Sequence, residues 1–347
     1  MKILLPIVPL HSGSRTRGIG VYTRELSLAL TKYFPDDQII GSSSSREAQT
    51  ADLVHLPSFD PFFLTLPVLM RRPTVVTIHD LIPLRFPKHF PAGIRGRLKW
   101  MAERRRLRRA AAVITDSESS KADIVALSGY PVDKVTVIPL GPNDVQKVPP
   151  AQANQIAAKY ALPSRYLLYV GDINWNKNVP GLIAAFTALK DPRVHLILVG
   201  KVFGSQPAIP EYRAIAEAIE KSGKADKIHL VGFVPSHHLS VFYSRATLYV
   251  QPSFYEGYGL PILEAMRFGC PVATSDRGSL PEVGGDAVAY FDPEKNMTNV
   301  IGELLSSAPR RAALSAAGLV RAKQFTWERT ARETHAVYEK ILASSHG

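Results

Sequence analysis

The chain has 347 residues, of which 46% are hydrophobic, 21% charged and 9% aromatic. That is enough length and apolar content for two domains with their own cores, and it excludes a disulfide-stapled miniprotein or a mainly disordered chain. The single cysteine, Cys270, excludes an intrachain disulfide or a multi-cysteine metal site and suits a reducing cytoplasm, while the excess of Lys and Arg over Asp and Glu, 42 to 30, attracts anions without specifying which.

The first apolar run, residues 3–10, is broken by Pro6 and Pro9. It is too short for a membrane span and reads as a buried strand over residues 3–8. Strands are predicted next at 53–56, 74–79, 112–116 and 134–138, with helical periods between most of them, the rhythm of a parallel sheet with crossover helices. Within this half, Arg104, Arg105, Arg106, Arg108 and Arg109 crowd the stretch 95–109. Such a cluster suits phosphate, nucleic acid or an anionic membrane surface, and equally a solvated helix face. The rhythm stops at PLGPNDVQKVPP, residues 139–150, whose turn formers read as an interdomain linker.

It restarts with strands expected at 166–170, 194–199, 228–231, 247–251, 271–274 and 287–291. His195 and His229 fall inside these strands and read as core. A final helix is expected over 326–342, with Thr326 as N-cap and Trp327, Ala331, Val337, Tyr338 and Ile341 forming an apolar face that must pack on something. The expected domains are 1–148 and 149–325, with a terminal helix, 326–345, crossing back to the first.

The segment QPSFYEGYGLPILEAMRFGCPVATS, residues 251–275, carries the most chemistry. A strand leads into a glycine turn, a helix opening near Leu260 and Pro261, and another strand. Glu256 then lies in the turn and Glu264 about one turn into the helix. Helix starts leave N–H groups without helical partners and carry partial positive charge, so the amides of Gly257, Tyr258, Gly259 and Leu260 suit anionic or hydroxyl oxygens. A carboxylate accepts hydrogen bonds from vicinal hydroxyls such as those of a ribose or hexose. Two glutamates on a solvated loop and helix are the plainer reading of the same residues.

YEGYGLPILEAM, with seven residues between its two key glutamates, resembles the signature of the retaining glycosyltransferases of family four. GIGVYTREL (18–26), VVTIHDLIPL (75–84), ITDSESSKADI (114–124), VIPLGPN (137–143), YVGDINWNKN (169–178), GSLPEVGGDA (278–287) and the terminal FTWERTARET are similar to further family segments, in order along nearly the whole chain. The resemblance implies an α/β fold of the GT-B type, two Rossmann-like parallel-sheet domains facing across a cleft, with acceptor site on the first and donor site on the second.

It further implies that Glu264 holds the donor's ribose hydroxyls, that Glu256 contacts the sugar near its anomeric region, and that residues 257–260 bind hydroxyls or phosphate. Lys177 would neutralise the diphosphate, Gly18 and Gly20 would let the first domain approach it, and His79 would line the cleft near the transferred sugar. The arginine that many members place shortly before the lysine is missing, so either phosphate binding leans on Lys177 and the amides or another base such as Lys201 substitutes. The implied reaction moves a hexose from a nucleoside-diphosphate sugar to a hydroxyl of a glycan or lipid-linked acceptor with retention, and GDINWNKN is similar to mannosyl- and rhamnosyl-transferring relatives. No carboxylate nucleophile stands out, which favours an ion-pair-like displacement on one face.

No two aspartates stand two apart and no His/Cys constellation suggests zinc, so no metal and no cofactor beyond the donor substrate is expected. Gly18, Ile19 and Gly20 make a poor dinucleotide fingerprint with Asp36 or Asp37 as ribose acid, because Thr23 takes the third glycine's place and the loop 9–17 is long. His55, at a strand end, reads more readily as structural than as facing an acceptor. The alternatives are a GT-B-fold nucleotide-sugar epimerase, a phosphorylase needing pyridoxal phosphate, and a non-catalytic nucleotide or nucleic-acid binder, although no specific nucleic-acid motif is present. Peripheral contact with an anionic membrane at the inner face of the cell membrane completes the expectation.

Overall fold

The computed structural model describes residues 1–6, 18–42, 44–143 and 147–345. It divides into two compact units, Met1–Asn143 with Phe325–Gly347, and Asp144–Gln324. Each is built on a six-stranded, wholly parallel sheet. The first contains β1 (Lys2–Leu4), β2 (Gln38–Ile40), β3 (Leu53–Leu56), β4 (Thr74–Thr77), β5 (Ala112–Thr115) and β6 (Val135–Val137), in the order β2-β1-β3-β4-β5-β6. The second contains β7 (Tyr166–Val170), β8 (His195–Val199), β9 (Ile228–Val231), β10 (Leu248–Gln251), β11 (Val272–Ser275) and β12 (Ala289–Phe291), in the order β12-β11-β10-β7-β8-β9.

Parallel strands covered on both faces must be apolar throughout rather than alternating. TVVT of β4 and AVIT of β5 are buried at every position, as are VATS of β11 and LYVQ of β10. In the second unit Leu167, Leu196, Leu198, Leu248 and Val250 meet Leu182, Phe186, Ile301 and Leu304 from the covering helices. The strand expected over 74–79 ends at Thr77, which leaves His79 in the loop beyond the carboxyl end of β4. The end of the strand expected over 3–8 and the loop 9–17 lie outside the described residues, as do 144–146 of the linker. The edge strand β2 went unpredicted, since three residues show no period. His195 and His229 are not core: His195 opens β8 and His229 lies on the edge strand β9, and the two half-buried residues stack with rings 5.1 Å apart and Nδ1 and Nε2 at 2.9 Å.

The terminal helix, Trp327–Ser345, belongs to the first unit. The Thr326 hydroxyl caps it by accepting from the Arg329 amide at 3.1 Å, satisfying one of the donors a helix start leaves over. Thr330 Oγ1 donates to the Pro139 carbonyl and Trp327 Nε1 to that of Pro142, at 2.8 and 3.0 Å. His335 stacks on Phe34 at 3.6 Å and bonds Asp37 at 2.8 Å, which occupies the aspartate of the dinucleotide alternative. Deepest in the packing, Tyr338 Oη and His55 Nδ1 share a 2.5 Å hydrogen bond. Tyr338→Phe strands that buried nitrogen and is expected to destabilise the fold by about 1–3 kcal/mol. A urea midpoint equal to that of the parent chain would mean the bond contributes nothing.

Candidate active site

In the second sheet the chain runs from β7 outward to β8 and β9, then returns to place β10 on the other side of β7. The connections change direction between β7 and β10, and loops leaving the carboxyl ends of such neighbours part to form the crevice where open α/β sheets bind ligands. Lys177 comes from the loop after β7 and Glu256 from the loop after β10. The two loops are tied together. The Phe254 amide donates to the Asn176 carbonyl at 2.8 Å, while the side-chain amides of Asn176 and Asn178 donate to the carbonyls of Tyr255 and Pro252 at 3.0 and 3.1 Å. Trp175 stacks on Phe254 with ring centroids 5.1 Å apart.

On this frame Lys177 Nζ donates to both carboxylate oxygens of Glu256, at 2.8 and 2.7 Å, across 79 positions of sequence. Glu256 Oε1 also accepts from Ser253 Oγ at 2.6 Å and Gln251 Nε2 at 2.9 Å, and Gln251 is held in turn by the Tyr249 hydroxyl at 2.5 Å. A buried carboxylate needs such compensation for the water it loses. Oε1 is saturated by three donors, whereas among the described residues Oε2 takes only the lysine. The ammonium, about one-fifth exposed, keeps a third N–H for an incoming group.

Two glycines shape the turn around this pair. Gly259, at φ +109°, precedes the helix Leu260–Arg267, in a backbone region that side chains avoid. Gly278, at φ +58°, lies so close to Glu256 that a Cβ would stand 2.6 Å from its carbonyl oxygen. Ser279 then bridges the carbonyls of Glu256 and Tyr258 through Oγ at 3.0 and 2.7 Å, bracing the loop from the far side. Gly257, Tyr258 and Gly259 are buried and Leu260 half-buried. Glu264, half-buried on the helix, accepts from the Tyr243 hydroxyl at 2.8 Å. Lys201 opens the segment Lys201–Ser205 after β8 and is exposed.

The first unit carries the other expected residues. His79 Nδ1 donates to Asp116 Oδ2 at 2.6 Å, its carbonyl accepts from Ser120 Oγ at 2.9 Å, and Tyr22 meets its ring edge to face at 4.7 Å. Among the described residues, His79 Nε2 and Asp116 Oδ1 are buried with no hydrogen bond of good geometry, although the Pro57 carbonyl lies beside the ring and helps to raise its pKa. Burial by itself lowers the His79 pKa, but the Asp116 carboxylate, with Asp80, outweighs it and holds the ring above the ordinary histidine value. His55 behaves oppositely. Burial, helped by His79, lowers its pKa to about 3, and both its nitrogens are taken by Tyr338 and Thr77, so this neutral ring is structural. Gly18 begins the helix Gly18–Tyr33 and is exposed, with nothing among the described residues within 4 Å of an added Cβ; Gly20 is buried.

Sequence reasoning missed Asp116, Gln251, Ser253, Tyr243 and Ser279. Four of these stand inside motifs already quoted, Tyr243 being the exception, yet a strand-end Asp or loop Ser shows its partner only when the loops are placed. Among the described residues no three His, Cys, Asp or Glu side chains gather as a metal site, and no helix is long and apolar enough to cross a membrane.

The family model of glycosyl transferases group 1 matches residues 153–320, and that of glycosyltransferase family 4 matches residues 41–144. The O-antigen chain mannosyltransferase B of Escherichia coli is 32% identical over 297 residues, covering 83% of this chain and 74% of that protein. The chain belongs to the group 1 glycosyltransferases.

This glycosyltransferase is also 29% identical over 309 residues to the serotype-specific mannosyltransferase WbdA of E. coli, of whose length it spans 37%. By structure it is similar to sucrose-phosphate synthase from Thermosynechococcus elongatus, with a TM-score of 0.78 at 22% identity over 99% of this chain and 100% of that one. HepE of Anabaena, solved in complex with UDP and glucose, gives 0.77 at 20% identity over 98% and 100%. These likenesses show the fold: α/β, of the GT-B glycosyltransferase type.

Proposed function

We propose that this glycosyltransferase moves a hexose, mannose foremost, from a nucleoside-diphosphate sugar to a hydroxyl of a glycan or lipid-linked acceptor, with retention and without a metal ion. The observation that carries the reading is the Lys177–Glu256 pair at the crossover between β7 and β10, with Glu264 one helical turn beyond the glycine turn. A departing nucleoside diphosphate gains negative charge as the glycosidic bond breaks. The spare donor of Lys177 and the amides at residues 257–260 supply fixed positive potential for it without reorganisation. Glu256 Oε2 is placed to accept from a sugar hydroxyl, while a carboxylate this heavily hydrogen-bonded makes a poor nucleophile, which supports displacement on one face through an ion pair. The likeness to mannosyltransferases supports the sugar, and the UDP complex of a relative in fold supports a nucleotide donor.

The test is a mass-spectrometric screen of nucleoside-diphosphate sugars for binding and slow hydrolysis, followed by nuclear magnetic resonance of the anomeric configuration of the product. Turnover is expected to survive EDTA. Inverted product, or activity that vanishes with chelator and returns with Mg²⁺ or Mn²⁺, would overturn retention or metal independence respectively. Glu264→Ala is expected to weaken donor binding by about 1–3 kcal/mol through loss of the ribose acceptor. Glu264→Gln keeps an acceptor for Tyr243, so calorimetry on both variants separates a donor role from simple loss of the tyrosine's partner.

A further inference from the structure

We propose that the helix Gly93–Leu107 and the adjoining loop 62–69 form a docking surface for an anionic lipid bilayer. The helix is amphipathic the wrong way round for a solvated element. At 100° per residue its buried side carries Gly96, Glu103 and Leu107, and its outward side presents Ile94, Leu98 and Met101 in one line with Arg105. Ile94 is 80% exposed and Met101 66%.

The loop adds Phe63, Leu64, Val68 and Leu69, each more than half exposed. These residues do not hang loose. The buried Glu103 carboxylate accepts from the amides of Thr65 and Leu66 at 3.1 and 3.0 Å and from the Thr65 hydroxyl at 2.8 Å, while Arg106 and Arg109 donate to the Leu66 and Val68 carbonyls at 2.8 and 2.7 Å. The Lys99 ammonium lies 5.1 Å from the centre of the Phe63 ring. Loop and helix are therefore one fixed surface.

Charge selects the occupant. Between residues 60 and 109 the acids are Asp60 and Asp80, both half-buried, and the buried Glu103, whereas Arg71, Arg72, Arg95, Arg97, Arg105 and Arg108 are exposed. Exposed apolar side chains rimmed by arginines with no fully exposed acid between residues 60 and 109 match a layer that is anionic outside and apolar beneath, rather than a second copy carrying the same positive face.

The experiment is co-sedimentation of the full chain with phosphatidylcholine vesicles, with and without phosphatidylglycerol. It needs no donor or acceptor, so its failure is separate from failure of the sugar-transfer reading. The parent chain is expected to bind the anionic vesicles and not the neutral ones. Two triple variants, Ile94→Gln with Leu98→Gln and Met101→Gln, and Arg95→Gln with Arg97→Gln and Arg105→Gln, should each lose about tenfold or more in partitioning. Both should keep the parent's urea midpoint and its donor hydrolysis. Failure of the parent chain to bind, or equal binding by parent and variants, overturns the proposal. So does light scattering that shows a dimer dissolved by the apolar variant, which would give the surface to a second copy.

Discussion

Lys177→Ala is expected to lower the transfer rate by about 10² or more, the scale on which one preorganised electrostatic stabiliser of a developing charge acts. The ammonium sits between a fixed carboxylate and the crevice, so it is aimed before any donor arrives. Its removal has a second consequence. Glu256 would keep Ser253 and Gln251 on Oε1 but leave Oε2 bare, a buried charge with its one cation gone. Part of the lost activity could then be lost order in the loop. Lys177→Arg restores the charge with a different shape, and a Lys177→Ala, Glu256→Gln double variant removes both charges together. If the lysine acts on the diphosphate, the double variant regains the melting temperature that Lys177→Ala loses and yet stays as slow as the single one. Recovery of rate in the double variant would assign the lysine to holding Glu256 alone.

His79→Ala is expected to cost a comparable factor, about 10²-fold or more, because a buried carboxylate favours the protonated form of this histidine, which is then a charge-assisted donor. The pH dependence gives the sharper reading. The His79 pKa is raised, so the cationic form prevails below it and is lost as pH rises through it. The same linkage makes the His79–Asp116 pair stabilising in full below the ordinary histidine pKa and lost as pH rises through the raised one. Activity should therefore fall on the alkaline side. Asp116→Asn removes the carboxylate while keeping a hydrogen-bond acceptor, so burial prevails and the falling limb should move to lower pH. A limb that stays in place in Asp116→Asn, measured with saturating donor, means that His79 does not set it.

The sequence by itself determined the alternation of strand and helix, most strand positions to within one or two residues, and the family. These features are local: buried parallel strands are written as unbroken β-branched runs, and YEGYGLPILEAM is a contiguous turn and helix start. Glu256 and Glu264 were legible for that reason, and so was the terminal helix with its Thr326 cap. Tertiary structure alone decided the order of the strands, and with it the site. Only because β10 lies beside β7 do loops 79 residues apart close Lys177 onto Glu256. It likewise decided that His79 faces Asp116 and that His55 is locked between Thr77 and Tyr338, although the two histidines occupy similar places in sequence. It also decided that the apolar line on the helix Gly93–Leu107 faces outward, which periodicity reads as the inward side. A residue's period tells how its element repeats, whereas its partners depend on long-range packing that no local window contains.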